Sequence, residues 1–331
     1  MKSTRRDFFK VISSTLLAIF VEGFLGKLYA FTNGFEPNQA PVVPNLSNWQ
    51  DDKINMCWIG HSTYLIKFFG LTILTDPVFS NRIGPYALVS NLGPMRIVKP
   101  VIPPEKVPQP DLIIISHAHF DHLDYPTLKY FAKKFPNKIT VVTAFKTKDI
   151  FDDLPFKEII ELDWNETFEI NDLIVKAIET KHYGWRYPWE KDRSKGFKDG
   201  RSYNSYILEK NNRKILFSGD TSYTELYDSY KNENIDIVLM PIGAYNPWHT
   251  IHCNPEEALQ MASNLNAKYF VPMHTKTFSQ GLEPYHEAIE WLKKSEKNYN
   301  LKVGLYDIGE TFSGGITGLT IRIGPRFETK A

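Results

Sequence analysis

The sequence predicts an α/β fold, in which the strands of a layered sheet alternate with amphipathic helices. Short apolar runs rich in β-branched residues recur along the chain, and such runs are typical of buried strands. After the run Leu112–Ile115, a helical spacing of apolar residues follows at Tyr125–Phe135 and another apolar run at Ile139–Thr143. This strand–helix–strand order predicts a right-handed crossover and parallel pairing of the two strands.

Composition and charge are those of an ordinary globular protein. The chain has 331 residues, of which 42% are hydrophobic and 23% charged, enough for one large domain or two small ones. The formal net charge is +1, and residues 1–30 contribute +3 to it, which leaves −2 on the remainder. A nucleic-acid-binding protein would show a basic balance or stripe, so we expect no nucleic-acid partner.

The first thirty residues are set apart from the fold as a targeting segment. Ser3–Lys10 resembles a twin-arginine export signal, with Arg5 and Arg6 followed by aromatics and a lysine. The apolar stretch Val11–Val21 is too short to span about 30 Å of hydrocarbon. We expect export to the periplasm through the twin-arginine route, and an uncleaved signal would tether the protein to the inner membrane. A basic-apolar tail without a signal function is the alternative.

Residues 31–50, rich in proline and asparagine, are interpreted as a linker, and residues 51–331 as the folded domain. Three runs that alternate or stay apolar predict an antiparallel meander at its start, at Ile54–Trp58, Thr63–Phe68 and Leu71–Leu74. His61 falls in the first turn of the meander, either near a functional site or as a hydrogen-bonded turn residue. The following stretch Phe79–Pro110 holds seven prolines and no clean period, which suits either a lipid-facing or substrate-access surface or a loop packed on its own core.

The second half of the domain continues with strands and two more helices. One helix is opened by Asn254, a proline and two acidic residues, and the other is predicted at Glu283–Lys294. The predicted strands are Glu158–Leu162, Glu166–Ile170, Leu173–Glu179, Tyr203–Leu208, Lys214–Ser218, Ile235–Met240, Lys268–Met273, Lys302–Tyr306 and Gly318–Ile323.

Four potential metal ligands follow the buried strand Leu112–Ile115 within six positions: His117, His119, Asp121 and His122. Imidazole nitrogens and carboxylate oxygens are the ligand types that bind zinc and similar divalent ions. Residues at i and i+2 of an extended segment point to the same side, while the aspartate and the third histidine come later and can face a second ion. A histidine-rich polar loop without metal is the alternative.

Three further ligand-type residues, His182, Asp220 and His274, also follow predicted strands. Residues at the same ends of the strands of a layered sheet converge in space. With the histidine turn they supply seven ligands, enough for two divalent ions. Cys57 and Cys253 are too few for a cysteine-based zinc site, and we expect buried thiols rather than a disulfide.

Aromatic and basic residues alternate between Tyr183 and Ser202, a composition that suits an anionic head group or interfacial lipid. From this stretch and from the segment after Met240 we expect the substrate-contacting residues Trp185, Arg186, Tyr187, Tyr245 and His249. His252 is expected at the mouth of the pocket, where it would hydrogen-bond a leaving group. Solvated loops with anchoring aromatics are the alternative.

The motifs HAHFDH from His117, GDT from Gly219 and the later His182 and His274 resemble the metallo-β-lactamase superfamily. Longer stretches are similar to the N-acylphosphatidylethanolamine-hydrolysing phospholipase D family within it. These stretches are WIGHSTYLIKFFGLTILTDPVFS from Trp58, DLIIISHAHFDHLDY from Asp111, IELDW from Ile160, FSGDTSY from Phe217, PIGAYNPW from Pro241 and HCNPEEAL from His252. The resemblance implies an αββα sandwich, two facing sheets with helices outside.

The resemblance also implies roles for the ligand-type residues. It assigns His117, His119 and His182 to a first zinc ion, Asp121, His122 and His274 to a second, and Asp220 to both. It gives Asp121 a further role in orienting the attacking water, and it places Asp76 near the site. A histidine at position 119, where oxygen-reducing relatives carry an acid, favours hydrolysis. After His274 the expected tryptophan–glycine pair is replaced by Thr275 and Lys276.

From these observations we expect a zinc-dependent phosphodiesterase of the phospholipase D type. It would release N-acylethanolamine and phosphatidic acid from N-acylphosphatidylethanolamine, with a phospholipid partner and peripheral membrane contact. A metal-dependent lactonase or amidase acting on a small carbonyl substrate is the second reading. A non-catalytic exported metal-binding module is the third. The sequence leaves the oligomeric state open.

Overall fold

The computed structural model describes residues 36–87, 90–91, 93–315 and 318–322. The predicted signal, residues 1–30, lies outside these residues, as do the first part of the linker, Leu88, Val89, Leu92 and the last nine residues. Within the described part of the chain, we find no helix with the length and apolar character needed to cross a membrane.

The first sheet has eight strands and contains the predicted meander. Its members in chain order are β1 (Ile54–Gly60), β2 (Thr63–Phe68), β3 (Leu71–Thr75), β6 (Leu112–Ile115), β7 (Thr140–Ala144), β8 (Glu158–Leu162), β16 (Thr311–Gly315) and β17 (Gly318–Arg322). They lie in the order β17-β16-β1-β2-β3-β6-β7-β8. β1, β2 and β3 pair antiparallel, whereas β3, β6, β7 and β8 pair parallel.

The second sheet has seven strands and carries most of the ligand-bearing strand ends. Its members are β9 (Thr167–Ile170), β10 (Leu173–Glu179), β11 (Asn204–Lys210), β12 (Arg213–Phe217), β13 (Ile237–Pro241), β14 (Tyr269–Met273) and β15 (Lys302–Val303), in the spatial order β15-β14-β13-β12-β11-β10-β9. A small separate hairpin is formed by β4 (Tyr86–Ala87) and β5 (Ser90–Asn91).

Helices cover the outer faces of the two sheets. The described residues form α1 (Tyr125–Lys134), α2 (Pro255–Asn264) and α3 (Glu287–Ser295), and shorter 3-10 turns at Pro104–Lys106, Lys148–Ile150, Arg193–Lys195, Leu226–Tyr230 and Glu296–Asn298. β6 shows the layering, because Leu112 and Ile114 join the core between the sheets, whereas Ile113 and Ile115 pack with α1. α2 packs on β13, and α3 packs on α2. The architecture is the expected αββα sandwich.

The sequence predictions for individual elements hold best where the periodicity is strong. The antiparallel meander, the parallel pairing of β6 with β7 and the start of α2 are confirmed, since Asn254 caps α2 and Glu257 bonds back to the Asn254 backbone. The last helix begins at Glu287 rather than Glu283, because the Glu283 carboxylate instead accepts the backbone N–H of Ala244. β16 and the β4–β5 hairpin were not predicted.

The described part of the long proline-rich stretch packs on the core. Ile83, Val98, Ile102 and Val107 are buried there. Arg96 is buried as well, and its guanidinium donates to the backbone oxygens of Val78 and Ser80. Cys57 and Cys253 are both buried and unpaired, as expected.

The free energy of unfolding depends on the closely packed core between the sheets. Leu239 lies fully buried in β13, so Leu239→Ala is expected to lower the free energy of unfolding by about 3 kcal/mol through lost burial and cavity formation. Leu282 is 70% exposed, and Leu282→Ala should change stability by no more than about 0.5 kcal/mol. Urea unfolding followed by circular dichroism measures both, and equal effects of the two substitutions would contradict this packing.

Candidate metal centre

The ligand-type residues meet where strands of both sheets end. His117 to His122 follow β6 of the first sheet, while His182, Asp220 and His274 follow β10, β12 and β14 of the second. His61 joins them from the turn between β1 and β2. The side chains sit together because the two sheets pack face to face and these segments leave them at the same end.

A tight turn after β6 presents the first ligands. The backbone N–H groups of His122 and Leu123 both donate to the His119 carbonyl, at 3.1 and 2.8 Å. The turn runs directly into α1, and the Asp124 carboxylate accepts the hydroxyl of Thr127 and the N–H of Ser80. Short local bonds of this kind fix the turn before any ligand is bound.

The first cluster consists of three histidines and one carboxylate: His117, His119, His182 and Asp220. His117 Nε2 and His182 Nε2 lie 2.8 and 3.3 Å from His119 Nδ1. The Asp220 Oδ2 atom is 3.9 Å from His117 Nε2 and 3.8 Å from His182 Nε2. Four ligand atoms therefore face a common centre.

The second cluster contains Asp121, His122, His274 and also His61. Asp121 Oδ2 lies 3.1 Å from the Nε2 atoms of both His61 and His274, and 3.3 Å from His122 Nε2. Asp220 Oδ2 is 3.0 Å from His122 Nε2 and 3.1 Å from His274 Nε2. Asp220 thus stands between the two clusters, in the position that the resemblance assigns to a shared ligand.

His252 lies outside both sets of four, but it forms a third group with Asp220 and His274 whose ligand atoms lie within 4.8 Å of one another. Its Nδ1 atom is buried, 3.8 Å from Asp220 Oδ2, and its ring stacks on His274 at 4.9 Å. Its place beside the shared carboxylate is compatible with the expected contact to a leaving group.

The donor set fits divalent metal ions. Ligand atoms held 2.0–2.1 Å from one tetrahedral ion lie roughly 3.4 Å apart. The separations in the first cluster, 2.8 to 3.9 Å, span this value, and those in the second, 3.0 to 3.3 Å, lie just below it. Both Asp220 oxygens, His122 Nε2 and His252 Nδ1 are buried without a hydrogen-bond partner, and buried polar atoms in proteins rarely remain so. Imidazole and carboxylate without thiolate suit zinc, iron or manganese.

Burial and the charges of neighbouring groups shift the pKa values of the histidines, downward for some and upward for others. Burial is the largest influence on His117, His119 and His182, and it lowers the pKa of His119 to about 4 and that of His182 to about 3. These imidazoles are therefore neutral at pH 7, the form that binds metal.

The two histidines nearest Asp220 behave in the opposite way. Burial is the largest single influence and acts to lower their pKa values, but the neighbouring carboxylates, Asp220 first among them and then Asp121, together outweigh it. The pKa of His122 is therefore raised well above its usual range and that of His274 to about 9. Burial is also the largest single influence at Asp121 and Asp220 and acts to raise their pKa values, but the surrounding histidines, His122 first and then His274, together outweigh it and hold both pKa values well below the usual range. The protons on His122 and His274 compensate the negative charge of Asp121 and Asp220, which bound divalent cations would compensate instead.

Asp76 orients His122 from behind. Its buried carboxylate accepts His122 Nδ1–H at 2.5 Å and both the N–H and the hydroxyl of Ser116, at 2.7 and 2.6 Å. This contact leaves His122 Nε2 directed at Asp121 and Asp220. A carboxylate behind a ligating imidazole fixes its tautomer and raises its basicity.

Unusual backbone conformations hold several site residues in place. His61, Asp76 and His274 have positive φ angles of 53°, 30° and 59°, which non-glycine residues rarely adopt and which cluster at functional sites. Gly219, just before Asp220, has φ 58°, and a Cβ atom there would lie 2.5 Å from the Ser116 side chain. Glycine at this position allows the ends of β12 and β6 to approach.

Gln280 contacts the cluster, although sequence reasoning missed it. Its Nε2 donates to Asp121 Oδ2 at 2.7 Å from an irregular loop after β14. No motif or periodicity marks such a residue in the sequence. For His61 the sequence left two alternatives, and the contact with Asp121 favours the one near the site.

The expected substrate-contacting residues of the 184–201 loop occupy different positions. The Trp185 ring lies 6.1 Å from His119, beside the cluster. Tyr187 packs on Phe120 of the ligand turn, 5.6 Å between ring centroids.

Arg186 lies against the ligand turn. Its Nη1 donates to the backbone oxygens of Ala118 and Leu123, at 2.7 and 3.0 Å, and its guanidinium lies 3.8 Å from the Phe120 ring. These contacts brace the ligand turn, and the expected contact of Arg186 with a head group stays a prediction.

Tyr245 is held in place by α3. Its hydroxyl donates to Glu287 at 2.6 Å and its ring packs on Trp291, so both ends are taken up by α3. His249 is exposed in the loop before α2, and its contact with a substrate stays a prediction.

Comparison with known proteins identifies the family. Residues 72–275, more than half of the chain, match the model of the beta-lactamase superfamily domain. The fold and the histidine–aspartate clusters together define a metal-dependent hydrolase. The chain belongs to the beta-lactamase superfamily, and the resemblance noted in the sequence is confirmed.

Several curated relatives share more than the general pattern. The N-acyl-phosphatidylethanolamine-hydrolyzing phospholipase D of Saccharomyces cerevisiae is 31% identical over 252 residues, covering 71% of this chain and 50% of its own length. The corresponding enzyme 1 of Caenorhabditis elegans is 28% identical over 271 residues, covering 76% and 74%. An uncharacterized protein of Mycobacterium tuberculosis is 30% identical over 257 residues, and the chain spans 66% of its length.

Solved structures agree in fold. An isothiocyanate hydrolase from Delia radicum gut bacteria has a TM-score of 0.60 at 20% identity, covering 78% of this chain and 97% of that one. A metallo-beta-lactamase fold protein of Bacillus subtilis has a TM-score of 0.55 at 16% identity, covering 80% and 100%.

If Asp76 orients His122, its removal should weaken metal binding. Asp76→Asn is expected to lower zinc affinity by about 10–100-fold, measured by competition with a chromophoric chelator. Asp236 is an equally buried carboxylate, which pairs with Arg213 and Lys268 at the opposite end of the second sheet. Asp236→Asn should therefore leave zinc affinity unchanged, and a similar loss in both variants would mean a general effect on stability.

Proposed function

We propose that the protein is a dinuclear zinc phosphodiesterase of the phospholipase D type, acting on N-acylphosphatidylethanolamine. The observation that carries the proposal is the pair of ligand clusters joined by one carboxylate, Asp220. Two adjacent ions suit an in-line displacement at phosphorus, in which charge develops on several oxygens at once.

The chain's own residues supply positioning and proton transfer. Divalent ions bound in the two clusters would contribute Lewis acidity and lower the pKa of a shared water. Asp121 faces the second cluster with one oxygen and would orient that water and accept its proton. His252, neutral because burial lowers its pKa to about 3, would donate a hydrogen bond to the leaving oxygen.

The reaction balances as a simple hydrolysis. Water adds to phosphorus, the bond from phosphorus to the ethanolamine oxygen breaks, and that oxygen takes up a proton. The products are phosphatidic acid and N-acylethanolamine. No covalent protein intermediate is needed, so no serine or cysteine nucleophile is required.

The choice of substrate rests on the relatives and on the surroundings of the cluster. Two relatives that carry the N-acyl-phosphatidylethanolamine-hydrolyzing name match over at least 71% of this chain. Tyr183 and Trp185 stack beside His119 and give the cluster an aromatic wall. Aromatic side chains with an apolar body and a polar tip suit the boundary between acyl chain and head group.

The metal content tests the two-cluster arrangement. The zinc-loaded protein should contain about two ions per chain, and His182→Ala, which removes a ligand from the first cluster, should retain about one. Asp220→Ala should lose affinity at both clusters. His286 is exposed in the turn before α3, so His286→Ala is the matched control with about two ions. Elemental analysis after dialysis gives the counts, and one ion per wild-type chain would refute the dinuclear assignment.

Turnover tests the substrate. With zinc present, the full chain should convert N-acylphosphatidylethanolamine to phosphatidic acid and N-acylethanolamine, detected by mass spectrometry. In ¹⁸O-water the label should appear in phosphatidic acid, because water attacks phosphorus. Asp121→Asn should reduce the rate at least about 100-fold.

Other outcomes would redirect the assignment. Release of free fatty acid alone, or turnover confined to lactones and amides, would place the enzyme among carbonyl hydrolases. Zinc binding without turnover of any of these substrates would favour a non-catalytic metal-binding module.

A further inference from the structure

Large apolar side chains are exposed on three loops next to the metal-ligand clusters. Among the residues whose side chains the structure describes, eight large hydrophobic residues are exposed, and the most exposed are Trp189 at 76% and Leu282 at 70%. Val43 follows at 47%, and Trp248 and Phe197 at 44% each. Single exposed hydrophobic residues are ordinary, but four of the eight come from these loops, and we refer to the four as the rim.

Trp189 is connected to the ligand turn by two ring contacts. It stacks on Tyr187, with 4.8 Å between centroids and 11° between planes. Tyr187 packs edge-on against Phe120 at 5.6 Å. Phe120 lies between His119 and Asp121 in the sequence, so Trp189 is the outer end of an aromatic ladder that starts at the metal ligands.

Hydrogen bonds connect the loops that carry Trp248 and Leu282 to Asp121 and to each other. The Trp248 indole N–H donates to the Gln280 carbonyl at 3.1 Å, and the Gln280 side chain donates to Asp121 Oδ2 at 2.7 Å. The Leu282 N–H donates to the Asn246 carbonyl at 2.7 Å, which ties the two loops together. The rim therefore reaches Asp121 and its neighbours from two sides.

The rim lies among an excess of positive charge. The 184–201 loop carries a net charge of +3, compared with +1 for the whole chain. Four of its six cationic residues already have partners within the protein: Arg186 bonds to the ligand turn, Lys191 pairs with Asp199, Arg193 with Asp163, and Arg201 with Asp149 and Glu190. The other two, Lys195 and Lys198, are exposed and are the cations of this loop that can face an anionic surface. The Lys195 ammonium group lies 5.6 Å from the Trp185 ring.

We propose that the rim docks on an anionic lipid bilayer, with Trp189, Phe197, Trp248 and Leu282 inserted among the head groups and the ligand clusters facing the lipid. Tryptophan beside lysine and arginine is the composition of segments that lie in the membrane interface. Cations near an anionic leaflet contribute about 1 kcal/mol each. Single apolar side chains on separate loops suit shallow insertion better than the contiguous apolar centre of a protein interface.

The proposal rests on the proposed function only in explaining why a bilayer should face the clusters. Docking requires neither bound metal nor turnover, so it can be measured separately. Vesicle binding without hydrolysis of N-acylphosphatidylethanolamine would support the rim and count against the proposed function. Hydrolysis of the detergent-dispersed lipid without any vesicle contact at the rim would do the reverse.

A site-specific fluorophore tests the contact. Cys57 and Cys253 are fully buried, so the full chain carrying Trp189→Cys or Leu282→Cys can be labelled at the new thiol with the polarity-sensitive dye NBD. Addition of phosphatidylethanolamine vesicles containing phosphatidylglycerol should raise NBD emission at least twofold and shift it to the blue at both positions. Vesicles of phosphatidylcholine alone, or high salt, should reduce the rise at least twofold.

Ile174→Cys is the matched control. Ile174 is 40% exposed, but it lies near the start of β10, and His182 follows the other end of that strand. Eight residues of extended chain separate the two by about 26 Å. All three labelled proteins share the same N-terminal segment, so a membrane contact made by that segment alone would not distinguish them.

Three results would overturn the proposal. The first is unchanged emission at positions 189 and 282 on addition of anionic vesicles. The second is an equal rise at position 174. The third is a rise at 189 and 282 with protein concentration in the absence of lipid, which would assign the rim to a contact with a second copy of the chain.

Discussion

The architecture of the site depends on one buried carboxylate, Asp220. It lies 3.0 and 3.1 Å from imidazoles of the second cluster and 3.8 and 3.9 Å from imidazoles of the first. A buried carboxylate is costly unless opposite charge compensates it. The surrounding imidazoles supply that opposite charge, and the approach of the two sheets brings them close to the carboxylate. Without Asp220 the two clusters, each of which combines residues from both sheets, would share no ligand.

The fold provides the rigidity that such a carboxylate requires. Its strand, β12, is central in the second sheet, and the last three residues of that strand are buried in the core. Gly219 lets the end of β12 approach β6. His61 and His274 are held in left-handed backbone conformations that the closely packed sheets enforce. Part of the folding free energy of the sandwich thus offsets the strain of holding the ligands in position, as is usual in a preorganised site.

The sequence was sufficient for the features that depend on local order. The histidine turn, the three later strand-end ligands and the crossover through α1 could be predicted because each combines a recognisable run of residues with a simple geometric rule. The structure brings all seven of these ligand-type side chains together. His252 also lies near Asp220, although its role stays a prediction.

The contacts that sequence reasoning could not predict are those between residues that lie far apart along the chain. Arg186 and Tyr245 looked available to a substrate because a sequence shows charge and aromaticity but not what occupies them. Ala118, Leu123 and Glu287 turned out to be their partners. Gln280 was missed for the same reason, since it reaches Asp121 across 159 positions. α3 begins at Glu287 rather than at the predicted Glu283, because the Glu283 carboxylate accepts a backbone N–H that is distant in the sequence.

The bond network of Arg186 has a consequence for how the family can diversify. Its guanidinium joins the 184–201 loop to the turn that carries the metal ligands. The loop expected to contact the substrate and the turn expected to bind metal are therefore held in a fixed relation to each other. Exchange of this loop for that of a relative would also remove the brace of the ligand turn. Adaptation to a new substrate by loop replacement would then require an arginine, or an equivalent donor, at the same place, whereas substitutions on the outer face of the loop would remain free to vary.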